Sequence, residues 1–289
     1  MRRCRPPERE GRTVSEDVGA SPNESGETPL FRSRTTEVGE WLDDAEGLTL
    51  GLDFDGTLAP IGADPEETEI YPDSRKAVEE LVDHPRIEVT VISGRELADV
   101  VERVGIDGID YAGNHGLEMR IDGEKEVHPD AVTARSEIED LCAEIRSEID
   151  HVPGSFVEEK GVTASVHFRQ TPEEYVEEVV AAVEELAADS EEDIHVVSGK
   201  QIREIRPDVD WDKGRVVDRL DERAPDGWRT MYVGDDTTDE DAFRAVQPSG
   251  IGILVGDRPD TDADYRIENH EQVPSLLEWL ATRASSPER

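Results

Sequence analysis

Two aspartates, Asp53 and Asp55, end an apolar stretch of the sequence that reads "TLGLDFDGTL". If this stretch is a β-strand, side chains two residues apart point the same way, so the two carboxylates lie side by side. Neighbouring carboxylates repel each other, and either the pKa of one rises or a cation binds beside them. The pair therefore predicts proton transfer or metal-assisted chemistry at the end of a buried strand.

Three further polar clusters follow apolar stretches or open helices. Ser93 and Arg95 follow "EVTVI" and offer a hydroxyl and a fixed positive charge, which suit an oxyanion such as phosphate. Lys213 opens a helix, and Asp235 and Asp239 belong to "GDDTTD" after the apolar run "TMYV". Oxygen-only ligands of this kind suit Mg²⁺. With the first aspartate pair, these groups predict phosphoryl transfer through an aspartyl-phosphate, with an anionic substrate held against a hard cation.

The elements that would position these residues alternate between short apolar strands and amphipathic helices. "LTLGLDF", "IEVTVIS" and "TMYVG" are typical of strands, whereas "SRKAVEELVDH" and "RELADVVERV" are typical of helices. This alternation predicts parallel βαβ units, and hence an α/β fold with a doubly wound, mostly parallel Rossmann-like sheet. Ligands of such sheets bind beyond the carboxyl ends of the strands, which is where the polar clusters are expected.

The alternation changes between about residues 120 and 205, where a helix and two strands are followed by another helix and two strands. We therefore predict that 120–205 is an inserted α+β cap domain and that 36–119 and 206–289 form the catalytic core. Residues 1–35 are rich in Pro, Gly, Ser, Glu and Arg and have almost no apolar periodicity, so we expect a disordered leader.

The polar clusters, in this order, resemble the four signature motifs of haloacid dehalogenase-like phosphatases, and the insertion resembles the C2B cap of that superfamily. A closer similarity is to trehalose-6-phosphate phosphatases, and the stretches that resemble this family are "DFDGTLAPI", "SGR", "AGNHGLE", "EEKGVTASVHFR", "GKQIREIRP", "WDKG" and "GDDTTDEDAF". The core motifs indicate the superfamily, whereas the cap motifs indicate the substrate. The resemblance implies a Mg²⁺-dependent hydrolase that converts trehalose 6-phosphate to trehalose and phosphate, the last step of trehalose biosynthesis.

The resemblance also implies a role for each matching residue of the core. Asp53 is expected to be the nucleophile that accepts the phosphoryl group, and Asp55 the general acid that protonates the departing sugar oxygen and later activates water. Lys213 is expected to orient Asp53 and to stabilise the transferring group. The expected Mg²⁺ ligands are Asp53, the backbone carbonyl of Asp55, and Asp235, with Asp239 supporting the site.

The same resemblance implies residues that hold the substrate. Carboxylates accept hydrogen bonds from sugar hydroxyls, and ammonium groups donate to the sugar or phosphate oxygens. The residues expected to contact the substrate are Thr57, Ser93, Arg95, Asn114, His115, Glu159, Lys160, Arg169 and Glu204. Two alternatives stay open: a related phosphatase for sucrose phosphate or mannosyl-3-phosphoglycerate, and a non-catalytic sugar-phosphate sensor. The intact Asp53, Asp55, Lys213 and Asp235 argue against the sensor.

The composition limits the partners and the compartment. The formal net charge of −40, from 71 acidic and 31 basic residues, predicts that nucleic acids and anionic membranes are repelled. Acidic residues spread along the whole chain suggest a halophilic archaeon. No stretch approaches 18 apolar residues and two cysteines form no recognisable pattern, so a cytoplasmic protein is expected. The expected partner is a small sugar phosphate, with a functional link to a trehalose-6-phosphate synthase.

Overall fold

The computed structural model of the chain describes residues 28–62, 68–190, 194–199 and 201–285. Residues 1–27 of the predicted leader therefore lie outside the described residues. Residues 28–35 are described, and they are ordered in the structure. Leu30 forms a β-bridge with Arg266, and the buried ring of Phe31 packs edge-on against Trp279 with 5.1 Å between ring centroids. The prediction of disorder is wrong for residues 28–35, because an apolar side chain there joins the core.

Twelve strands and eight α-helices form the described part of the chain. The strands are β1 (Gly47–Asp53), β2 (Ile87–Ile92), β3 (Asp110–Gly113), β4 (Glu118–Ile121), β5 (Glu124–Val127), β6 (Phe156–Glu159), β7 (Ala164–His167), β8 (Ile194–Gly199), β9 (Ile202–Pro207), β10 (Trp228–Gly234), β11 (Ile251–Val255) and β12 (Tyr265–Ile267). The helices are α1 (Thr35–Asp43), α2 (Pro72–Val82), α3 (Leu97–Val104), α4 (Pro129–Glu148), α5 (Glu173–Ala188), α6 (Lys213–Arg223), α7 (Glu240–Val246) and α8 (Val273–Ala284). Among these helices, none combines the length and the apolar composition that a bilayer span requires.

The larger sheet has eight strands in the order β12-β11-β10-β1-β2-β3-β4-β5. The pairs from β12 to β3 are parallel, whereas β3-β4 and β4-β5 are antiparallel. Every residue of β1 and of β11 is buried, as expected of strands covered on both faces. Apolar side chains of α1, α2, α3 and α8 cover one face, and those of α6 and α7 cover the other. The predicted doubly wound, mostly parallel α/β fold is confirmed.

A smaller antiparallel sheet has the strand order β6-β7-β9-β8. Helices α4 and α5 pack on it and form a separate apolar cluster that includes Ile138, Ile145 and Val183. The elements predicted for the cap are therefore present. Its predicted start at residue 120 lies inside β4, however, and both β4 and β5 pair with the larger sheet. The division into core and cap domains stays a prediction, with the second sheet as its basis.

The parallel pairing brings the predicted polar clusters to one edge of the larger sheet. Asp53 is the last residue of β1 and is paired in register with Ile92, the residue before Ser93. Gly234 ends β10, which is the other neighbour of β1, so Asp235 follows at the same edge. Three consecutive strands in space thus end in polar residues, which explains how positions distant in sequence meet.

Candidate active site

A buried ammonium group links two carboxylates at this edge. Lys213, the first residue of α6, donates through Nζ to Asp53 Oδ1 at 2.6 Å and to Asp239 Oδ1 at 2.7 Å. All three side chains are nearly inaccessible to solvent, with Lys213 only 3% exposed. Charged groups are stable at such depth only when they are paired, so this bridge fixes the positions of β1, α6 and the loop after β10 relative to one another.

Asp239 is held by four donors and in turn holds the loop. Besides Lys213, its Oδ1 accepts a hydrogen bond from the Tyr232 hydroxyl at 2.6 Å. Its Oδ2 accepts from the backbone N–H of Asp235 at 2.9 Å and of Asp236 at 2.8 Å. Both oxygens of Asp239 are thus engaged with the protein.

Asp53, Asp235 and Asp239 have carboxylate oxygens within 4.8 Å of one another, so they could hold a metal ion. Asp53 Oδ2 and Asp235 Oδ1 are buried and have no hydrogen-bond partner among the residues that the structure describes. Space for this cluster depends on Gly56, where a Cβ would collide with the Asp235 carboxylate and where φ is +92°. Buried, unpartnered carboxylate oxygens fit a hard cation such as Mg²⁺.

The cluster carries more negative than positive charge. Burial raises the pKa of Asp235 to about 7, and the charge of Asp239 adds to this shift. Burial also raises the pKa of Asp53, although Lys213 opposes the effect. Burial alone would lower the pKa of Lys213, but the charges of Asp239 and Asp53 raise it above its ordinary value. One ammonium therefore faces three carboxylates, and a proton or a cation must offset the remaining charge.

Asp55 lies outside this cluster and forms an ion pair. Its carboxylate accepts hydrogen bonds from Arg95 Nε and Nη2, both at 2.7 Å, while Arg95 Nη1 donates to Asp99 at 3.0 Å. Asp55 is 41% exposed, whereas Arg95 is 14% exposed. The side chain of Asp55 is thus accessible from solvent and is not part of the buried carboxylate cluster.

Thr57, Ser93 and the turn after β3 complete the site on the core side. Thr57 is fully buried, and its hydroxyl has no partner among the described residues. The Ser93 hydroxyl accepts from the backbone N–H of Arg95 at 3.1 Å. Asn114 and His115 adopt positive φ values of 49° and 56°, and the His115 N–H donates to the Ser93 carbonyl at 2.9 Å. The strained turn is thereby fixed to the end of β2.

The turn also contacts the second sheet. The buried amide of Asn114 donates to Glu118 at 3.0 Å and to the Lys160 carbonyl at 2.8 Å, and it accepts from the Thr163 hydroxyl at 2.8 Å. His115 Nε2 lies 3.5 Å from Glu204 Oε1. The amide of Asn114 is fully used by these partners, so the structure favours a positioning role for it rather than the predicted contact with substrate.

Glu204 is an acid of the second sheet that stays ionised although it is buried. Burial raises its pKa, but the charges of His115, Arg206 and Lys160 outweigh burial and lower it below the ordinary range. Arg206 pairs with Glu204 directly. Burial is the main influence on His115 and lowers its pKa. Glu204 opposes this shift, whereas the positive charges of Arg206 and Lys213 add to it. The cluster therefore offers a carboxylate acceptor, held by Arg206, between the two sheets.

Glu159 does not lie with these residues, which corrects the prediction for it. Its carboxylate is bound by Arg146 of α4 at 2.7 Å, so it faces the helix layer. Successive residues of a strand point to opposite faces, so the preceding residue, Glu158, points to the other face of the sheet. Its Oε2 lies 3.9 Å from Lys160 Nζ. Burial raises the pKa of Glu158, but His167, Lys160 and Arg95 together lower it. Glu158 therefore shares a face with the site.

Arg169 is also separated from the predicted group. It is exposed and lies beyond the end of β7, whereas Lys160 precedes the start of that strand. Ser165, near the start of β7, is the residue paired with Glu204. Among the residues that the sequence did not single out, Tyr232 is the clearest omission. A polar tyrosine two residues before Gly234 in an apolar strand was the available signal.

Comparison with known proteins identifies the family. A profile of the trehalose-phosphatase family matches residues 51–274, which include both sheets. The chain belongs to the trehalose-phosphatase family. A trehalose-phosphate phosphatase from Mycobacterium tuberculosis is 40% identical over 240 residues, which are 80% of this chain and 60% of the relative. The chain thus spans 60% of the length of that curated relative.

Solved structures share the fold of this family member. The C-terminal domain of a trehalose-6-phosphate phosphatase from C. albicans is similar, with a TM-score of 0.72, 25% identity, and coverage of 88% of this chain and 98% of that one. A haloacid dehalogenase-like hydrolase from Bacteroides thetaiotaomicron has a TM-score of 0.59 at 15% identity, covering 81% and 99% of the two chains. The second likeness supports the fold alone, in agreement with the predicted haloacid dehalogenase-like core.

The carboxylate cluster predicts a pH-dependent affinity for Mg²⁺. Added Mg²⁺ should raise the thermal unfolding midpoint of the metal-free protein, because a ligand of the folded state stabilises it. Since Asp235 holds its proton up to about pH 7 and a ligand must lose its proton to bind, the Mg²⁺ affinity should rise about tenfold between about pH 6 and pH 8. Titration calorimetry at several pH values measures both the affinity and the released proton.

Asp236 provides the matched control for this experiment, because it is exposed and adjacent to Asp235. Asp235→Asn should abolish the Mg²⁺-dependent rise in unfolding temperature, whereas Asp236→Asn should retain most of it. An affinity that is independent of pH, or an equal loss in both variants, would contradict the assignment of Asp235.

Proposed function

We propose that the protein is a Mg²⁺-dependent phosphatase that hydrolyses trehalose 6-phosphate to trehalose and phosphate through an aspartyl-phosphate on Asp53. The observation that carries the proposal is the Asp53 carboxylate at the end of β1, with Oδ1 held by Lys213 and Oδ2 unpartnered among the described residues. A buried carboxylate with one oriented and one available oxygen is suited to nucleophilic attack. Membership of the trehalose-phosphatase family supports the substrate.

In the first step, an oxygen of Asp53 forms a bond to phosphorus as the bond from phosphorus to the sugar oxygen breaks. Asp55 gives a proton to that departing oxygen, and trehalose leaves. In the second step Asp55 takes a proton from water, whose oxygen attacks phosphorus, and the bond to Asp53 breaks to release phosphate. Lys213 keeps Asp53 oriented in both steps. Mg²⁺, when bound by Asp53, Asp235 and the Asp55 carbonyl, supplies positive charge that offsets repulsion between carboxylate and phosphate.

Thr57, Ser93 and Arg95 are the proposed ligands of the phosphoryl oxygens. Thr57 lies in the tight turn after β1, and Ser93 directly follows β2. Both are at the edge of the sheet where Asp53 lies. A buried hydroxyl with no protein partner, such as that of Thr57, is available to a substrate oxygen. These donors stabilise the charge that spreads over the phosphoryl oxygens during transfer.

The second sheet supplies the proposed sugar contacts. Glu204, Glu158 and Lys160 present two carboxylates and an ammonium on the face that also meets His115. Such groups pair with sugar hydroxyls in a fixed pattern, so they would select the sugar part of the ester. We propose that this sheet with α4 and α5 is a cap domain that closes over the core during transfer and excludes water.

The acidic surface supports a proposal about the setting. With a net charge of −40, the acidic side chains of the protein repel one another strongly in dilute buffer. Concentrated salt makes this repulsion tolerable. We propose a halophilic, cytoplasmic protein whose substrate comes from a trehalose-6-phosphate synthase. The reaction would then complete the synthesis of a neutral sugar that is compatible with high salt.

The substrate assignment predicts a selective turnover. Trehalose 6-phosphate should release phosphate at least about tenfold faster than glucose 6-phosphate, sucrose phosphate or mannosyl-3-phosphoglycerate, because only the correct sugar pairs all polar groups of the cap. Phosphate release with each ester in Mg²⁺ and high salt tests this directly. Equal rates of phosphate release from trehalose 6-phosphate and glucose 6-phosphate would contradict the assignment of a disaccharide substrate. Release that persists in Asp53→Asn would remove the proposed nucleophile, and absence of any release would favour the sensor.

Neighbouring glutamates of β6 offer a matched pair within the same assay. Glu158→Gln should raise KM for trehalose 6-phosphate about tenfold, since one charge-assisted hydrogen bond is lost. Glu159→Gln should change KM less than about twofold, because its carboxylate faces Arg146. The opposite ranking would restore the original assignment of Glu159.

The charge of the surface predicts stabilisation by salt. Raising KCl from about 0.1 M to about 1 M shortens the screening length from about 10 Å to about 3 Å, which weakens repulsion among exposed carboxylates. The thermal unfolding midpoint should therefore rise across this range, and scanning calorimetry measures it. A midpoint that is constant or falls would contradict the proposed adaptation to salt.

A further inference from the structure

The proposed general acid, Asp55, is occupied by another residue in this structure. Both of its carboxylate oxygens accept hydrogen bonds from Arg95, through Nε and Nη2, at 2.7 Å each. This is the bidentate geometry in which guanidinium and carboxylate form their strongest pairs. While it persists, neither oxygen of Asp55 can give a proton to a sugar oxygen, so the pair must open before the reaction can start.

The backbone of Arg95 is fixed by hydrogen bonds, whereas its guanidinium is bound by side chains. Its N–H donates to the Ser93 hydroxyl, and its carbonyl accepts from the Asn114 N–H at 2.6 Å. The guanidinium lies over the Phe54 ring, 5.5 Å from the centroid. This contact attracts the guanidinium without imposing a hydrogen-bond geometry on it.

The guanidinium also lies where a phosphoryl group would arrive. Arg95 follows Ser93 at the carboxyl end of β2, whose last residue is in register with Asp53. Its guanidinium reaches the turn after β1, where it binds Asp55, two residues beyond Asp53. Two oxygens of a tetrahedral phosphoryl group can accept both hydrogen bonds of a guanidinium fork, as the two oxygens of a carboxylate do, and the phosphoryl group carries more negative charge.

We propose that Arg95 exchanges Asp55 for the phosphoryl group when substrate binds, so that substrate recognition itself releases the general acid. The proposal rests on the proposed function, because it gives Asp55 the proton transfer and Arg95 the phosphate. Before binding, the pair keeps Asp55 away from the reaction. After binding, Nε and Nη2 hold phosphoryl oxygens, and the freed Asp55 carboxyl faces the sugar oxygen.

The exchange makes Asp55 a competitor of phosphate for Arg95. If the resting pair is formed in about nine of ten molecules, the apparent phosphate affinity is about tenfold below the intrinsic affinity. Removing the competitor should then tighten phosphate binding. Simple repulsion between Asp55 and phosphate predicts tightening too, but that effect should be as large or larger when Arg95 is absent, because nothing then neutralises Asp55.

A double-mutant cycle on phosphate binding separates these explanations. The ligand is inorganic phosphate, measured by titration calorimetry on the full chain with saturating Mg²⁺. The proteins are the unmodified chain, Asp55→Asn, Arg95→Met and the double variant. Asp99→Asn is the matched control, because it removes another carboxylate partner of Arg95 but leaves Nε and Nη2 on Asp55. Arg95→Lys replaces Arg95→Met if the latter fails to fold, since a lysine cannot form the fork.

The exchange predicts about tenfold tighter phosphate binding in Asp55→Asn and about tenfold weaker binding in Arg95→Met. In the Arg95→Met background, Asp55→Asn should tighten binding less than about threefold, and Asp99→Asn should change it less than about threefold in the unmodified background. An equal or larger gain without Arg95 would overturn the exchange, and so would unchanged affinity in Asp55→Asn. Turnover of trehalose 6-phosphate by the unmodified chain is measured in parallel, so normal turnover with a failed cycle rejects the exchange alone.

Discussion

The structure of the site depends on one buried ammonium group that binds two carboxylates and so fixes the distance between them. Lys213 connects the end of β1, through Asp53, with the loop after β10, through Asp239. Charges at this depth cannot be left unpaired, so each of the three elements is constrained by the other two. The third carboxylate, Asp235, adds charge that the lysine cannot balance, which leaves the site with an electrostatic requirement for a cation.

Several features of the fold serve this arrangement. Glycines stand where larger residues would displace the carboxylates, with Gly56 next to Asp235 and Gly234 next to Asp239. Tyr232 lies two residues before Gly234 in β10, on the same face of the strand, and completes the set of donors to Asp239. The left-handed turn of Asn114 and His115 connects this edge of the larger sheet to the second sheet. The carboxylate cluster and the second sheet are therefore parts of one hydrogen-bonded unit.

The meeting of these residues at one edge of the larger sheet could be predicted from the sequence, because each ends or follows an apolar strand. The period-two pattern places Asp53, Ser93 and Asp235 at one edge once the strands are parallel. Prediction failed where the outcome depended on which face of a strand meets the site or on which strands pair with each other. Glu158 and Glu159 are chemically identical in sequence, and only the register of β6 against β7 decides which one faces the site. The placement of β4 and β5 in the larger sheet likewise depends on long-range pairing that local pattern does not encode.

Lys213 and Asp239 stabilise the fold as a pair. Denaturant titrations of Lys213→Met, Asp239→Asn and the double variant give the free energy of unfolding and test this pairing. Each single change should cost about 3–5 kcal/mol, because a buried charge loses its partner. The double variant should cost less than the sum of the two by about 1 kcal/mol or more. Costs that simply add would contradict the pairing.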